Sequence, residues 1–321
     1  MKLQTEIKLK KQEDNLIDYN SKLLLFGSCF SENIGDKLDY FKFQRFSNPF
    51  GILFHPKAVE VVIERAVFKK EYLEQDVFFY NEQWHCYDAH SKLSNISKEN
   101  LLQELNANLE AVNNYLKDVS HVVITLGTAW VYSLVENNVI VANCHKVPQK
   151  KFNKTLLSID EIVKSLQKSI ELIQSVNKKV SITFTVSPVR HIKDGFIENT
   201  LSKSHLIAAI HLLLKQQSLI KKKGLTYFPS YEIMLDELRD YRFYKNDMLH
   251  PSEIAIQYIW EKFKQTWVKQ EIYKTMDHID TIQKGLKHIP KNKSSHAHLK
   301  FIEKLNQKKE VIQSLYPQII F

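Results

Sequence analysis

The stretch LLLFGSCFSENIGDKL, Leu23 to Leu38, decides the fold. An apolar run ends at Gly27, Ser28 follows, and from Phe30 the apolar residues Ile34 and Leu38 return every four positions, as on one face of a helix. A strand that turns sharply into a helix is the opening of a βαβ unit. In a parallel sheet such strand ends are where ligands bind, and the free N–H groups of the helix that follows can stabilise an oxyanion. Ser28 stands at that point, as a candidate nucleophile. The competing expectation is structural, because Ser is also a favoured helix N-cap. A capping box would place Glu or Gln three residues on, and that position holds Ser31.

Outward from this stretch, short apolar runs recur at Lys22 to Phe26, His121 to Leu126, Val180 to Val186 and Leu225 to Phe228, as expected of buried strands. Helical spacing fills the intervals. In Asp160 to Val176 the residues Ile162, Val163, Leu166, Ile170, Ile173 and Val176 mark one face; Leu201 to Ile220 reads the same way, and Lys98 to Leu116 less clearly. Alternating strands and helices predict an α/β fold with a mostly parallel sheet covered on both faces. Two hairpins are expected, Val77 to Tyr87 about Asn81 and Glu82, and Val131 to Val141 about Glu136 to Asn138. Pro251 suits a first helical position, with a helix through Ile254, Ile256, Ile259, Trp260 and Phe263 that HIPKNKSSHAH, His288 to His298, breaks before a last helix from Leu299 to about Leu315.

A chain of 321 residues, 44% hydrophobic, can bury one large core, and its 7 Gly and 8 Pro argue against an all-β protein rich in tight turns. The first twenty residues carry charges throughout and lack the apolar core of a signal peptide, and no run is long enough to span a bilayer. Three cysteines, Cys29, Cys86 and Cys144, without CxxC spacing indicate neither a disulfide framework nor a zinc site, which fits a cytoplasmic location. Of the net charge of +9, most lies from Glu261 onward, where 12 Lys and Arg face 6 Asp and Glu. No nucleic-acid motif accompanies it, so a solvated Lys-rich helical surface is expected rather than a nucleic-acid footprint.

A serine hydroxyl needs a base, and that base needs an orienting carboxylate. NDMLHPSE, Asn246 to Glu253, supplies both: Asp247 precedes His250 by three residues, a spacing at which the carboxylate can fold back onto one imidazole nitrogen and leave the other facing a substrate. Alone, a DxxH is as well explained by a salt-bridged surface loop. Paired with Ser28 it is far more specific.

The two motifs together resemble the SGNH-hydrolase layout, and more closely the GSCFA-domain family, named for its Gly-Ser-Cys-Phe-Ala string. Gly27, Ser28, Cys29 and Phe30 match that string, and Ser31 departs at its last letter. NPFGILFHP (Asn48 to Pro56), TLGTAWVY (Thr125 to Tyr132), VANCHKVP (Val141 to Pro148), TVSPVRH (Thr185 to His191) and NDMLHPS are also similar to the family, over residues 21 to 265 or so. The resemblance implies a three-layer α/β/α sandwich in residues 1–265, with 266–321 as a basic helical extension. It implies Ser28 as nucleophile, His250 as general base and Asp247 as its orienter. The oxyanion hole of the superfamily combines the nucleophile's own N–H, a glycine N–H and an asparagine amide. Gly51 fits the glycine role; the expected GxND block is replaced by Gly127, Thr128, Ala129 and Trp130, which leaves Thr128, Asn48 and Asn143 as candidate donors.

DAHS, NCHK and PVRH place His90, His145, Lys146, Arg190 and His191 in loops, where they either contact substrate or hydrogen-bond one another, and Trp130 joins Trp84, Tyr87 and Tyr132 as a candidate stacking face for a sugar. Asp88, His90, His145 and His191 lack metal-ligand spacing, so neither a metal nor another cofactor is expected. The function implied is an acyl-ester hydrolase acting on an O-acyl group, acetyl for instance, of a carbohydrate or other small polar molecule. The alternatives are an O-acyltransferase using the same triad and a non-catalytic carbohydrate- or partner-binding module.

Overall fold

Strand β1 (Lys22–Gly27) is buried on both faces: Leu24 and Phe26 pack into one hydrophobic cluster, Leu23 and Leu25 into another. That alternation is what a central strand between two helical layers requires. The computed structural model describes residues 5–219, 224–292 and 294–321.

In chain order β1 is followed by α1 (Cys29–Tyr40), β2 (Gln44–Ser47), α2 (Pro56–Phe68), the hairpin strands β3 (Val77–Tyr80) and β4 (Gln83–Cys86), α3 (Lys98–Leu116) and β5 (His121–Leu126). Next come β6 (Trp130–Leu134), β7 (Ile140–Val141), β8 (Phe152–Leu156), α4 (Ile159–Val176), β9 (Ser181–Val186), α5 (Phe196–Leu219) and β10 (Leu225–Phe228). A short α6 (Ser230–Glu232) runs into a π-helical turn, Ile233–Leu238, before α7 (Glu253–Trp267), α8 (Tyr273–Lys287) and α9 (His296–Leu315).

The main sheet has the order β10-β9-β5-β1-β2 with every pairing parallel. Right-handed crossovers then place the connections out of β1 and out of β5 on opposite faces, so their C-terminal ends form the switch point of the sheet, where α/β folds bind ligands. Ser28 leaves β1 at that crevice. One face is covered by α2, α3, α4 and α5 through residues such as Val62, Leu105, Ile170 and Ile210. The other is covered by α1 and α7 through Phe30, Ile34, Ile259 and Trp260. The fold is α/β, a three-layer α/β/α sandwich.

Helices α8 and α9 bury Met276, Ile279, Ile282, Leu305 and Ile312 in the same cluster as α1 and α7. Tyr40 Oη donates to Asp280 at 2.8 Å and Gln318 Nε2 donates to Tyr19 O at 2.9 Å, fixing both ends of this layer.

Three expectations are corrected. Pro251 is not at a first helical position: it bridges Tyr244 in extended conformation, and Ser252 caps α7, accepting the Ala255 N–H at 3.4 Å. That helix stops at Trp267 rather than running on to His288, because Val268 turns extended and bridges Ile17. The second hairpin gains a third strand, since β6 pairs with β8 along its length and with β7 only at Tyr132 and Ser133. The first hairpin turns at Asn81 and Glu82, both at positive φ (48° and 61°), as the primed turn of a two-residue loop demands.

Candidate active site

At the end of β1 the chain runs against β5 so closely that a Cβ on Gly27 would lie 2.0 Å from Thr125 O, and φ there is +133°. Only glycine meets both conditions. Ser28 N–H then donates to Thr125 O at 3.0 Å, and Ser28 caps α1, its Oγ accepting the Phe30 N–H at 3.4 Å. The cap is therefore realised, at the long end of the hydrogen-bond range. Ser28 is fully buried, and among the described residues no hydrogen bond joins its Oγ to His250. Burial, with the Glu32 carboxylate adding to it, pushes the neighbouring Cys29 thiol up, which disfavours its thiolate.

Asn48 follows β2 in the left-handed region (φ 46°), and its Oδ1 accepts the Gly27 N–H at 2.9 Å. This bond identifies the amide's two ends and leaves Nδ2 buried with no partner. Gly51 closes the same turn by donating its N–H to Asn48 O at 2.7 Å. Both backbone donors expected of an oxyanion hole, those of Ser28 and Gly51, are thus occupied; the Asn48 amide is the free donor at this corner.

Asp247 and His250 meet as their spacing suggested. His250 Nδ1 lies 2.7 Å from Asp247 Oδ2, while Asp247 Oδ1 accepts the N–H groups of Leu249 (2.8 Å) and His250 (3.0 Å). Those two backbone donors, His250's first, and then the His250 ring hold the Asp247 carboxyl down at about 2. An ionised carboxylate on Nδ1 fixes the tautomer that presents Nε2 as a base.

The loop carrying this pair is tied to the sheet through the SPVRH segment after β9, where Arg190 N–H donates to Leu249 O at 3.2 Å. Helix α5 supports that segment from below. Asn199 Oδ1 accepts the His191 N–H at 2.9 Å, Ser202 Oγ accepts the Ala129 N–H at 2.7 Å and bonds Thr128 Oγ1 at 3.0 Å, and Lys203 Nζ donates to Ser187 O at 2.7 Å. One face of one helix, positions i, i+3 and i+4, thereby anchors the loops after β5 and β9. Lys203 is 1% exposed, and burial pushes its pKa down to about 7. His191 lies over Gly127, 3.1 Å from where a Cβ there would stand, and edge-on to Phe54 at 5.3 Å. Burial pushes His191 down to about 3, with the charges of Lys203 and His250 adding, so it is a neutral imidazole whose Nε2 is buried without a partner.

The remaining candidates divide. His90 sits beside the Asn48–Gly51 turn, its N–H donating to Phe50 O at 2.9 Å and its Nδ1 accepting the Lys92 N–H at 3.2 Å, while Lys92 pairs with Glu32 of α1 at 2.9 Å. Arg190 and His191 flank the Asp247–His250 loop. Thr128 is held in the Ser202 network and also accepts the Trp130 N–H at 3.0 Å. His145 is instead packed into the β3–β4 hairpin, its Nε2 on Cys86 O at 2.8 Å and its ring 4.7 Å from His85. Asn143 accepts the His145 N–H at 2.8 Å, which makes it part of that turn, and Lys146 is exposed. Trp130 donates Nε1 to Glu198 O at 3.2 Å and lies under Lys154, and Tyr87 stacks on Phe78, so these aromatics are engaged in packing. Asp88 pairs with Arg65 at 3.0 Å; among the described residues no three His, Cys, Asp or Glu converge as a metal site would need.

The sequence reading missed Asn199, Ser202 and Lys203. A signal was present: Leu206, Ile210 and Leu213 mark the buried face of α5, and Lys203 continues that spacing one step toward its N-terminus. A lysine on an apolar stripe marks a buried charge. A cavity of about 450 Å³ lies at the opposite end of the sheet, among Lys10, Lys178, Ser181 and Gly224, away from all of these residues.

A search of curated proteins finds no match to the chain. Among solved structures, the crystal structure of a carbohydrate esterase family 3 from Talaromyces cellulolyticus is similar at a TM-score of 0.36 and 7% identity, covering 80% of this chain and 98% of that one. The GSCFA family model matches residues 22–263, from the start of β1 into α7, and so takes in the Gly27–Ser28 corner, the α5 face and the Asp247–His250 loop. By that match the chain belongs to the GSCFA family.

Proposed function

We propose that this chain is a serine-dependent acyl-ester hydrolase that removes an O-acyl group, such as acetyl, from a carbohydrate or other small polar molecule. The observation that carries the reading is the Asp247–His250 pair, 2.7 Å apart and tied to the sheet end from which Ser28 emerges. His250 Nε2 takes the proton from Ser28 Oγ as that oxygen attacks the ester carbonyl. The negative charge forms on the carbonyl oxygen, where Asn48 Nδ2 donates to it. Collapse of this intermediate expels the alcohol, which receives the proton from His250, and water repeats the sequence on the acyl-serine. Ser28 gives up only a 3.4 Å cap bond to take part. Because Ser28 is covered, an acyl group reaches it only when a neighbouring loop moves. The carbohydrate substrate class rests on the family's likeness to SGNH hydrolases alone.

The same serine and base would pass the acyl group to a sugar hydroxyl if water were excluded, giving an O-acyltransferase. A non-catalytic binding module is the reading favoured by a different observation, namely that the N–H groups of Ser28 and Gly51 are already bonded. A fluorophosphonate probe separates the two enzyme readings from the module. The enzyme is labelled, Ser28→Ala abolishes labelling, and Cys29→Ala keeps it. A folded protein that no fluorophosphonate labels is the module; labelling that follows Cys29 makes the chemistry cysteine-dependent.

A further inference from the structure

Next to the Asp247–His250 loop the structure holds two guanidinium groups that, among the described residues, have no carboxylate partner. Arg190 is fastened at both ends to the segments that bracket His250. Its N–H donates to Leu249 O at 3.2 Å, and its guanidinium stacks over Tyr244 at 4.2 Å with Tyr241 at 5.2 Å. Tyr244 bridges Pro251, and Lys245 N–H donates to His250 O at 2.7 Å, so the main chain of the tyrosine under the guanidinium is paired beside that of His250. Arg190 and Arg239, with Tyr241, Tyr244 and Met234, line a small cleft of about 90 Å³. The acid in that cleft, Asp240, is already taken: its Oδ2 pairs with Arg242 at 3.0 Å and its Oδ1 accepts the Arg242 N–H at 2.8 Å. Among the described residues neither Arg190 nor Arg239 has an ion pair.

A guanidinium seated over two tyrosine rings has given up much of its rotamer freedom beforehand, and the planar fork of a guanidinium matches a carboxylate or phosphate bidentately. A structural tie between two loops would need the stack but not a second unpaired arginine. We propose that Arg190, with Arg239 beside it, binds an anionic group of the substrate, so that the site acts on O-acyl esters of molecules bearing a carboxylate or a phosphate close to the ester. This rests on the hydrolase reading above.

The experiment compares phenyl acetate, 4-acetoxybenzoate and 4-acetoxyphenyl phosphate, three acetyl esters that differ in the charged group, with the full chain and with Arg190→Met, folding being checked by circular dichroism. The anionic esters should be preferred in kcat/KM by about tenfold or more, mainly through KM, and Arg190→Met should collapse that ratio toward one. The better of the two anionic esters identifies carboxylate or phosphate as the group. Calorimetric titration of Ser28→Ala with 4-hydroxybenzoate and 4-hydroxyphenyl phosphate, repeated with Arg190→Met added, reads the anion site without turnover. Binding that Arg190→Met abolishes, in a chain that hydrolyses none of the three esters, would keep the anion site and sink the hydrolase. Turnover with the same charge ratio in parent and Arg190→Met, or anion binding equal in both backgrounds, overturns the proposal.

Discussion

Asn48 Oδ1 accepts the Gly27 N–H at 2.9 Å and so commits the other end of the amide, Nδ2, as a buried donor beside the Ser28 turn. In the hydrolase reading it replaces the asparagine of the missing GxND block. Asn48→Gly tolerates the φ of 46° that alanine would strain, and removes the amide. Its kcat should fall by about 10²- to 10³-fold with KM little changed, the usual loss of one oxyanion donor. Parental kcat in a folded Asn48→Gly protein would take Asn48 out of the mechanism.

Asp247 keeps its charge at any pH above about 2, because the His250 and Leu249 N–H groups and then the His250 ring stabilise the carboxylate. No acid limb of the pH–rate profile in the working range should therefore come from it. Asp247→Asn retains bulk but spoils the tautomer of His250, and turnover should drop by about 10³-fold or more. Equal turnover of Asp247→Asn and parent on a working ester would exclude this pair as the base.

How much of this was legible in the sequence depends on where each group's partners lie. The four strand runs and the helices α3, α4 and α9 were readable because burial on a sheet or helix face imposes a local period, as Leu23 to Phe26 and Ile162 to Ile173 show. Strand β2 was not, since QRFS carries a single apolar residue and is ordered by pairing with β1. The Asp247–His250 contact spans three residues and was foreseeable. That Asn48 keeps an unengaged amide while Thr128 and Asn143 are engaged was not, because it turns on hydrogen bonds to Gly27, Ser202 and His145 that only the folded chain brings within reach.

Removal of the chain after Lys287 deletes α9 and takes Leu305, Ile312 and Ile319 out of the core they share with α1 and α7. Each aliphatic side chain contributes about 1.5–3 kcal/mol by burial, so the truncated chain should melt well below the parent. Specific activity of the folded fraction should hold, because among the described residues none of those removed bonds to the Ser28, Asn48 or Asp247–His250 groups. A soluble, folded but inactive truncation would show that α9 completes the site.

Lys203 supports the site from α5 at a cost that pH reveals. Its ammonium is buried, bonds the Ser187 carbonyl at 2.7 Å, and has no carboxylate partner among the described residues, so burial lowers its pKa from 10.5 to about 7. Below pH 7 both folded and unfolded chains carry the proton, and the folded state bears the full penalty of a desolvated charge. Between about 7 and 10.5 the unfolded chain holds a proton the folded one has released, so stability rises with pH; above 10.5 the dependence ends. Lys203→Met removes this titration while keeping an unbranched side chain of similar length. Urea midpoints of parent and Lys203→Met at pH 6.5, 8 and 9.5 should therefore diverge in one direction, the parent gaining on the variant at each step. A difference that stays constant across that range would mean that Lys203 remains protonated throughout, stabilised by the Ser187 carbonyl and its surroundings as a permanent cation beneath the Ser28 and His191 loops.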